Sequence, residues 1–213
     1  MRRGSSIVAT SSNGDGPTGA GGLAGLETLV KRQVTGGYPP VDSWNPPYCG
    51  DIGMRIAADG TWFYQGSPIG RKPLVRLFSS VLRKDADGRT YLVTPVEKVD
   101  IAVDDAHFLA VEMWAEGLGR QQLLTFRTHV DDIVRCDRDH PLRFGVDPRS
   151  GGLKPYLAVR GRLEALLVRA RYYDLVELAV VEPIDGVDQF GVWSGASFFA
   201  MAPASQVDGP PQS

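Results

Sequence analysis

The chain holds only two cysteines among 213 residues, Cys49 and Cys136, far apart and in no CxxC pair. Neither a disulfide framework nor a thiolate zinc site is indicated. Histidine is nearly as scarce, and His107, His129 and His140 form no HExxH or other short-spaced ligand pattern. Charge of one sign is missing too: 23 basic and 25 acidic residues leave a net −2, which offers no general attraction for nucleic acid or anionic membrane. No apolar run approaches membrane-spanning length. After Arg2 and Arg3 the N-terminus turns polar from Thr10 to Gly16, without the apolar segment of a secretory signal. These absences leave a folded soluble protein, for which a reducing cytoplasm fits best and neither nucleic acid nor membrane is an expected partner.

What is present is most informative from Asp51 to Leu82, DIGMRIAADGTWFYQGSPIGRKPLVRLFSSVL. Asp59-Gly60 is a dipeptide that two-residue type I′ hairpin turns favour. Such a turn pairs Ala57 with Trp62, Ile56 with Phe63, Arg55 with Tyr64 and Met54 with Gln65. Ile56, Phe63 and Met54 then make the apolar face, and Ala57, Trp62, Arg55 and Tyr64 make the other. Large rings beside a cation describe either a binding surface or a second packed layer. A loop of odd length would exchange the faces. Beyond the hairpin, Leu74, Leu77, Phe78, Val81 and Leu82 recur at i, i+3, i+4, i+7 and i+8, the spacing of a helix packed on a sheet, with Pro73 in its first turn.

Elsewhere, residues 1–22 and 204–213 read as disordered tails rich in small residues and proline. Leu23 to Val34 reads as a short helix, followed by a Pro-rich connector, Tyr38 to Pro47, with Val41 and Trp44 as anchors. Strands are expected at Tyr91–Thr94, Lys98–Val103, Phe108–Ala115, Gln122–Arg127, Ile133–Arg135 and Leu142–Gly145. Short turns between them predict antiparallel neighbours. Tyr156 to Val181 repeats the hairpin-then-helix order about Gly161, setting Tyr172, Leu175, Val176, Ala179 and Val180 against the five apolar positions of the first helix. The predicted fold is therefore α+β, mostly antiparallel sheets with two ββα repeats in a two-part architecture, an N-terminal domain over residues 23–99 and a β-rich C-terminal one over 100–203.

Candidate chemistry is sparse. Gly14 to Gly19 satisfies GxGxxG, but in a low-complexity tail and with Asp15 where phosphate would sit, so it is not a nucleotide loop. Ser194 in Gly191-Val192-Trp193-Ser194-Gly195 fails GxSxG at Val192. Asp104-Asp105 and Asp131-Asp132 read as turn acids. His129 with Asp131 and Asp132 is the best local cluster for a metal or a hydrolytic site. Arg71 and Lys72, entering the first helix, could hold an anion with the help of its dipole.

Five runs carry a resemblance: Cys49–Leu82, Tyr91–Val99 (YLVTPVEKV), Phe126–Val134 (FRTHVDDIV), Lys154–Leu167 (KPYLAVRGRLEALL) and Tyr172–Leu178 (YYDLVEL). Together with the closing GVWSG they resemble the bacterial family called domain of unknown function 1285, from about Tyr38 to Phe199. The resemblance implies a two-part α+β fold with repeated motifs and a suspected role in signal transduction; it implies no catalytic residue and no cofactor. The expectation is a non-enzymatic module that binds a small anionic ligand or a protein partner through Arg55, Trp62, Tyr64, Arg71 and Lys72, rings supplying desolvated contact and cations selecting the anion. The alternative is a metal-dependent or other hydrolase centred on His129, Asp131 and Asp132.

Overall fold

The computed structural model describes residues 22–31 and 38–207, so Gly14–Gly19 and most of both expected tails lie outside the described residues. Helix α1 (Gly22–Lys31) is followed by β1 (Tyr48–Ile56), β2 (Trp62–Tyr64), β3 (Ser67–Pro68), helix α2 (Lys72–Ser79), β4 (Leu82–Lys84), β5 (Thr90–Val93) and β6 (Lys98–Val103). Then come β7 (Phe108–Glu116), β8 (Leu123–Thr128), β9 (Ile133–Arg135), β10 (Leu142–Val146), β11 (Leu153–Arg160), β12 (Leu163–Leu167) and helix α3 (Arg169–Glu177). Strands β13 (Val180–Ile184), β14 (Val187–Ser194) and β15 (Ser197–Pro203) and a last turn of helix, α4 (Ala204–Val207), close the chain.

Strands β1 to β6 form one sheet in the order β3-β2-β1-β6-β5-β4, and β7 to β12 a second in the order β10-β11-β12-β7-β8-β9. Both orders are one pattern, in which the first and sixth strands lie side by side at the centre. Those central pairs, β1 with β6 and β12 with β7, are parallel, and the other neighbours are antiparallel. Short turns foretell the antiparallel neighbours; the parallel seam joins strands far apart in sequence and leaves no local signal. The sheets change over at residues 104–107, so the division expected at 99/100 falls inside β6, which the seam with β1 ties to the first sheet.

The expected pair of ββα units does not appear: β3 stands between the first hairpin and α2, whereas α3 follows β11 and β12 directly. β1 and β2 are the first two strands of their sheet, whereas β11 and β12 are the last two of theirs. Helix α2 falls between third and fourth strands, and α3 follows the sixth. The duplication lies in strand order, not in the apolar match between residues 74–82 and 172–180. Both helices also end before their expected pattern does. After Ser79, the hydroxyls of Ser79 and Ser80 donate to the carbonyls of Arg76 (2.8 Å) and Leu77 (2.6 Å), occupying groups that another turn would use. Val81 is buried just before β4 and Leu82 as its first residue, rather than on a helix. Val180 and Val181 leave α3 for β13, in an antiparallel three-stranded sheet.

The first hairpin is one residue out of the expected register. Ile56 faces Trp62, Arg55 faces Phe63 and Met54 faces Tyr64. Its loop is odd: Ala57 N–H donates to Thr61 O, Gly60 N–H to Ala57 O, and Asp59 Oδ1 accepts from Thr61 N–H, each at 2.9 Å. Only Gly60 has positive φ there, at 81°, so the turn is a three-residue loop with a glycine bulge. The two-residue left-handed turn occurs one step on, at Gln65 (φ 47°) and Gly66 (φ 79°), between the Tyr64–Ser67 pair. The faces exchange accordingly. Met54, Ile56 and Trp62 are all within 1% of full burial, and Trp62 stacks on Phe78 with ring centroids 6.4 Å apart. Burying a ring of that size, with the rest of one continuous apolar cluster through both sheets, holds the hairpin and α2 together.

The connector behaves as an anchored strap. Val41 and Trp44 pack on the core, and Arg83 Nη1 donates to both their carbonyls at 2.7 Å.

Candidate functional site

Gly60 brings the two sheets together. A Cβ there would stand 3.0 Å from Leu109 Cδ1 and 3.4 Å from His129 Nε2, so glycine serves both the left-handed turn and the close approach. Above this contact, the hairpin turn, the start of α2 and the turn from β8 to β9 enclose a cleft of about 410 Å³. Trp62, Ile69, Val75 and Val130 give it apolar surface; Lys72, Arg76, Arg127, His129 and Asp131 give it polar surface.

Two N–H donors in this wall make no well-formed hydrogen bond among the described residues, Trp62 Nε1 and His129 Nε2, both shielded from solvent, although the Gly60 backbone still acts on the His129 ring. The tautomer follows from the backbone. Leu109 N–H donates to His129 Nδ1 at 3.1 Å, so Nδ1 carries the lone pair and the neutral ring holds its proton on Nε2. Burial, the largest influence, pushes the His129 pKa below its ordinary value, against the Leu109 and Gly60 backbone and the Asp131 and Asp132 charges. The ring is therefore a neutral donor at pH 7. A buried donor left unmet costs about 1–3 kcal/mol, and two occur in one cleft. A third such atom, Arg171 Nε, lies elsewhere and has Asp174 Oδ2 at 3.0 Å.

The rim is a chain of ion pairs: Arg76 with Asp131, Asp131 with Arg127, Arg127 with Glu112. Arg76 Nε also donates to Val130 O at 3.3 Å, tying α2 to the β8–β9 turn. Glu112 above all holds Arg127 firmly protonated against the cost of burial, with Asp131 adding to it, and Arg127 in turn keeps Glu112 below the usual carboxylate range. Asp131 sits at φ 69°, a left-handed conformation in which aspartate and asparagine are among the few residues with a side chain to be enriched.

The five residues expected to bind are not gathered on one surface. Trp62 and Lys72 line the cleft. Arg55 lies on the opposite face of the hairpin, 3.0 Å from Asp104 and over the Phe63 ring. Tyr64 packs partly buried against the core, and Arg71 pairs with Glu27 of α1 at 2.5 Å. The acidic-histidine cluster is also divided. His129 faces the cleft with Trp62, while Asp132, bound by Tyr38 and by Arg160 at 2.7 Å, opens onto a separate cleft with Val134 and His140. Asp131 touches both. No group of three or more His, Cys, Asp or Glu among the described residues is placed to hold a metal ion. Sequence reasoning missed Arg76 and Arg127: Arg76 meets Asp131 only through the tertiary fold, and Arg127, four residues before Asp131, belongs to no motif.

Other candidates have structural partners. Ser194 Oγ donates to Cys136 O at 2.6 Å and accepts from Leu124 N–H at 2.8 Å, fastening the third sheet to the second. Gly195 follows because a Cβ there would stand 2.8 Å from that of Asp137. Both cysteines are free thiols, Cys49 exposed and Cys136 buried, with burial pushing the Cys136 pKa up to about 12. His107 is buried between sheets, its Nδ1 accepting from Glu164 N–H at 3.2 Å and its Nε2 3.1 Å from Thr90 Oγ1. Asp105 accepts from Tyr156 and pairs with Lys154.

Two sheets of one strand order, joined over a donor-lined cleft, define a two-domain α+β protein with a candidate binding site at the junction. The chain belongs to the DUF1285 family: the model described as its N-terminal domain of unknown function matches residues 39–106, and the C-terminal one residues 107–201. The boundary between them falls where the sheets change over. A crystal structure of a DUF1285 family protein from Silicibacter pomeroyi DSS-3 is similar with 48% identity and a TM-score of 0.82, covering 90% of this chain and 100% of that one. Another, from Shewanella baltica OS155, is 28% identical with a TM-score of 0.47, covering 59% of this chain and 91% of that one. No curated protein matches the chain. Among the described residues no helix is long and apolar enough to cross a membrane.

Proposed function

We propose that the protein is a non-enzymatic binding module whose ligand sits in the cleft between the two sheets. One observation supports this: Trp62 Nε1 and His129 Nε2 are buried N–H donors without a well-formed hydrogen bond among the described residues, and both residues border the same cleft. Both atoms are closed to solvent here, so a ligand with acceptor oxygens would satisfy them once a small side-chain movement opened the wall, and the surrounding apolar surface would desolvate those bonds and strengthen them. Within the expected set, this reading keeps Trp62 and Lys72 as contacts and leaves Arg55, Tyr64 and Arg71 to their own partners. It also draws His129 and Asp131 into binding rather than hydrolysis. A general base or metal ligand at Nε2 needs a lone pair there, which the Leu109 hydrogen bond disfavours, and Asp131 and Asp132 are already neutralised by arginines. A cytoplasmic setting agrees with the free thiols, and a part in bacterial signal transduction would follow from a reversible ligand that bridges two domains.

A thermal-shift screen of small molecules on the full chain tests the reading, since a ligand of the folded state raises apparent stability by mass action. Hits are expected to lose their shift in both Trp62→Phe and His129→Phe. Hits that stabilise wild type and both variants equally would place binding elsewhere.

A further inference from the structure

We propose that the ligand class is a small organic monocarboxylate, which accepts from Trp62 and His129 and displaces the Asp131 carboxylate from Arg76 and Arg127. The inference rests on the cleft being the binding site. Both unmet groups are neutral donors, so they call for acceptor oxygens. The charged rim sets the sign: Lys72, Arg76 and Arg127 stand against Asp131 and Glu112, and Lys72 has no ion pair among the described residues. One positive charge is in excess, which matches a monoanion rather than a phosphate dianion. Size and polarity set the rest. A cleft of about 410 Å³ with Ile69, Val75 and Val130 in its wall suits a metabolite with an apolar body behind its acid group.

Asp131 identifies the chemistry directly, because its carboxylate already lies between two guanidinium groups, as a ligand carboxylate would. It does so from a left-handed backbone position, φ 69°, on a turn that is not otherwise constrained to such a conformation by glycine. A tethered acid held between two guanidinium groups is a stand-in that a free acid can replace. Its departure would release the link between α2 and the β8–β9 turn, and so couple occupancy to the joint between the domains.

The test is a ¹H–¹⁵N titration of the full-length protein with butyrate, benzoate and, separately, inorganic phosphate, following the Trp62 indole N–H. That resonance is assigned by its loss in Trp62→Phe, or by elimination with Trp44→Phe, Trp114→Phe and Trp193→Phe if the first variant is unstable. The carboxylates are expected to shift it saturably and phosphate to leave it in place, and Asp131→Asn, folded by circular dichroism, is expected to bind benzoate about tenfold more tightly through loss of the competing charge. Phosphate saturating the resonance in place of the carboxylates would overturn the ligand class. Equal or weaker binding by Asp131→Asn would overturn the displacement. If no anion moves the indole in either protein, the whole proposal fails, and the Trp62 and His129 dependence of the screening hits then decides the binding reading by itself.

Discussion

The second and third strands of the two sheets are joined by turns at equivalent places in the strand order, and the turns have opposite characters. In the N-terminal sheet the join is Gln65-Gly66, two exposed residues, with open space around Gly66. In the C-terminal sheet it is His129 to Asp132, where His129 receives the Leu109 N–H, Asp131 is clamped to α2 by Arg76, and Asp132 is clamped to β11 by Arg160. Both contain a non-glycine residue in left-handed backbone, Gln65 and Asp131. The difference comes from α2, which is inserted between strands three and four of the first sheet only and lies against the second sheet's turn. One strand order thus yields a plain turn once and a cleft wall once.

The strongest way to break this comparison is to remove what supports the cleft from beneath. Trp62→Ala is expected to cost about 3–5 kcal/mol in denaturant unfolding, because it deletes a fully buried ring that stacks on Phe78 of α2. Phe63→Ala, one residue along the strand on the opposite face, is expected to cost clearly less. Equal costs would mean that the alternation of faces in the hairpin is wrong. This is also where sequence reasoning reached its limit. Asp59-Gly60 is compatible with a two-residue turn or a three-residue loop with a bulge, and these differ by the one residue that sends Trp62 outward or inward. The strand-rich middle was legible from alternation and turn residues, since those preferences are local. The parallel seams were not, and neither was the cleft: Trp62 and Lys72 stood in one candidate set and His129 and Asp131 in another, because only contacts across the domain junction bring them together.

A smaller effect sharpens the comparison at the joint between sheets. Burial above all, with Lys84 and Arg160 adding to it and Glu164 opposing, depresses the His107 pKa to about 4 from an ordinary 6.5. The folded state then binds fewer protons than the unfolded one between these values, so the stabilisation is complete above pH 6.5 and is lost as pH falls through 4. The loss across that window is about 3 kcal/mol for this group, and His129, shifted in the same direction, adds to it. Unfolding free energies measured from pH 7 to 5, above most carboxylate titration, should fall more steeply in wild type than in His107→Gln. Matching slopes would remove His107 from the joint's pH dependence.

The smallest effects distinguish the two turns themselves, by the same substitution type at each. Asparagine is well tolerated at positive φ, and Gln65→Asn would create Asn-Gly in a two-residue left-handed hairpin turn, so it should stabilise by about 0.5 kcal/mol. Asp131→Asn keeps a residue equally suited to left-handed backbone but removes its charge. Its side chain is 38% exposed, so its pairs with Arg76 and Arg127 are partly screened and their loss should cost about 0.5–1 kcal/mol. Opposite signs in the two denaturation experiments would show that one turn is limited by backbone conformation and the other by its side-chain contacts. Stabilisation at both sites would mean that the ion pairs contribute nothing measurable and that α2 holds the cleft wall through packing alone; destabilisation at both would overturn the reading of the Gln65 turn.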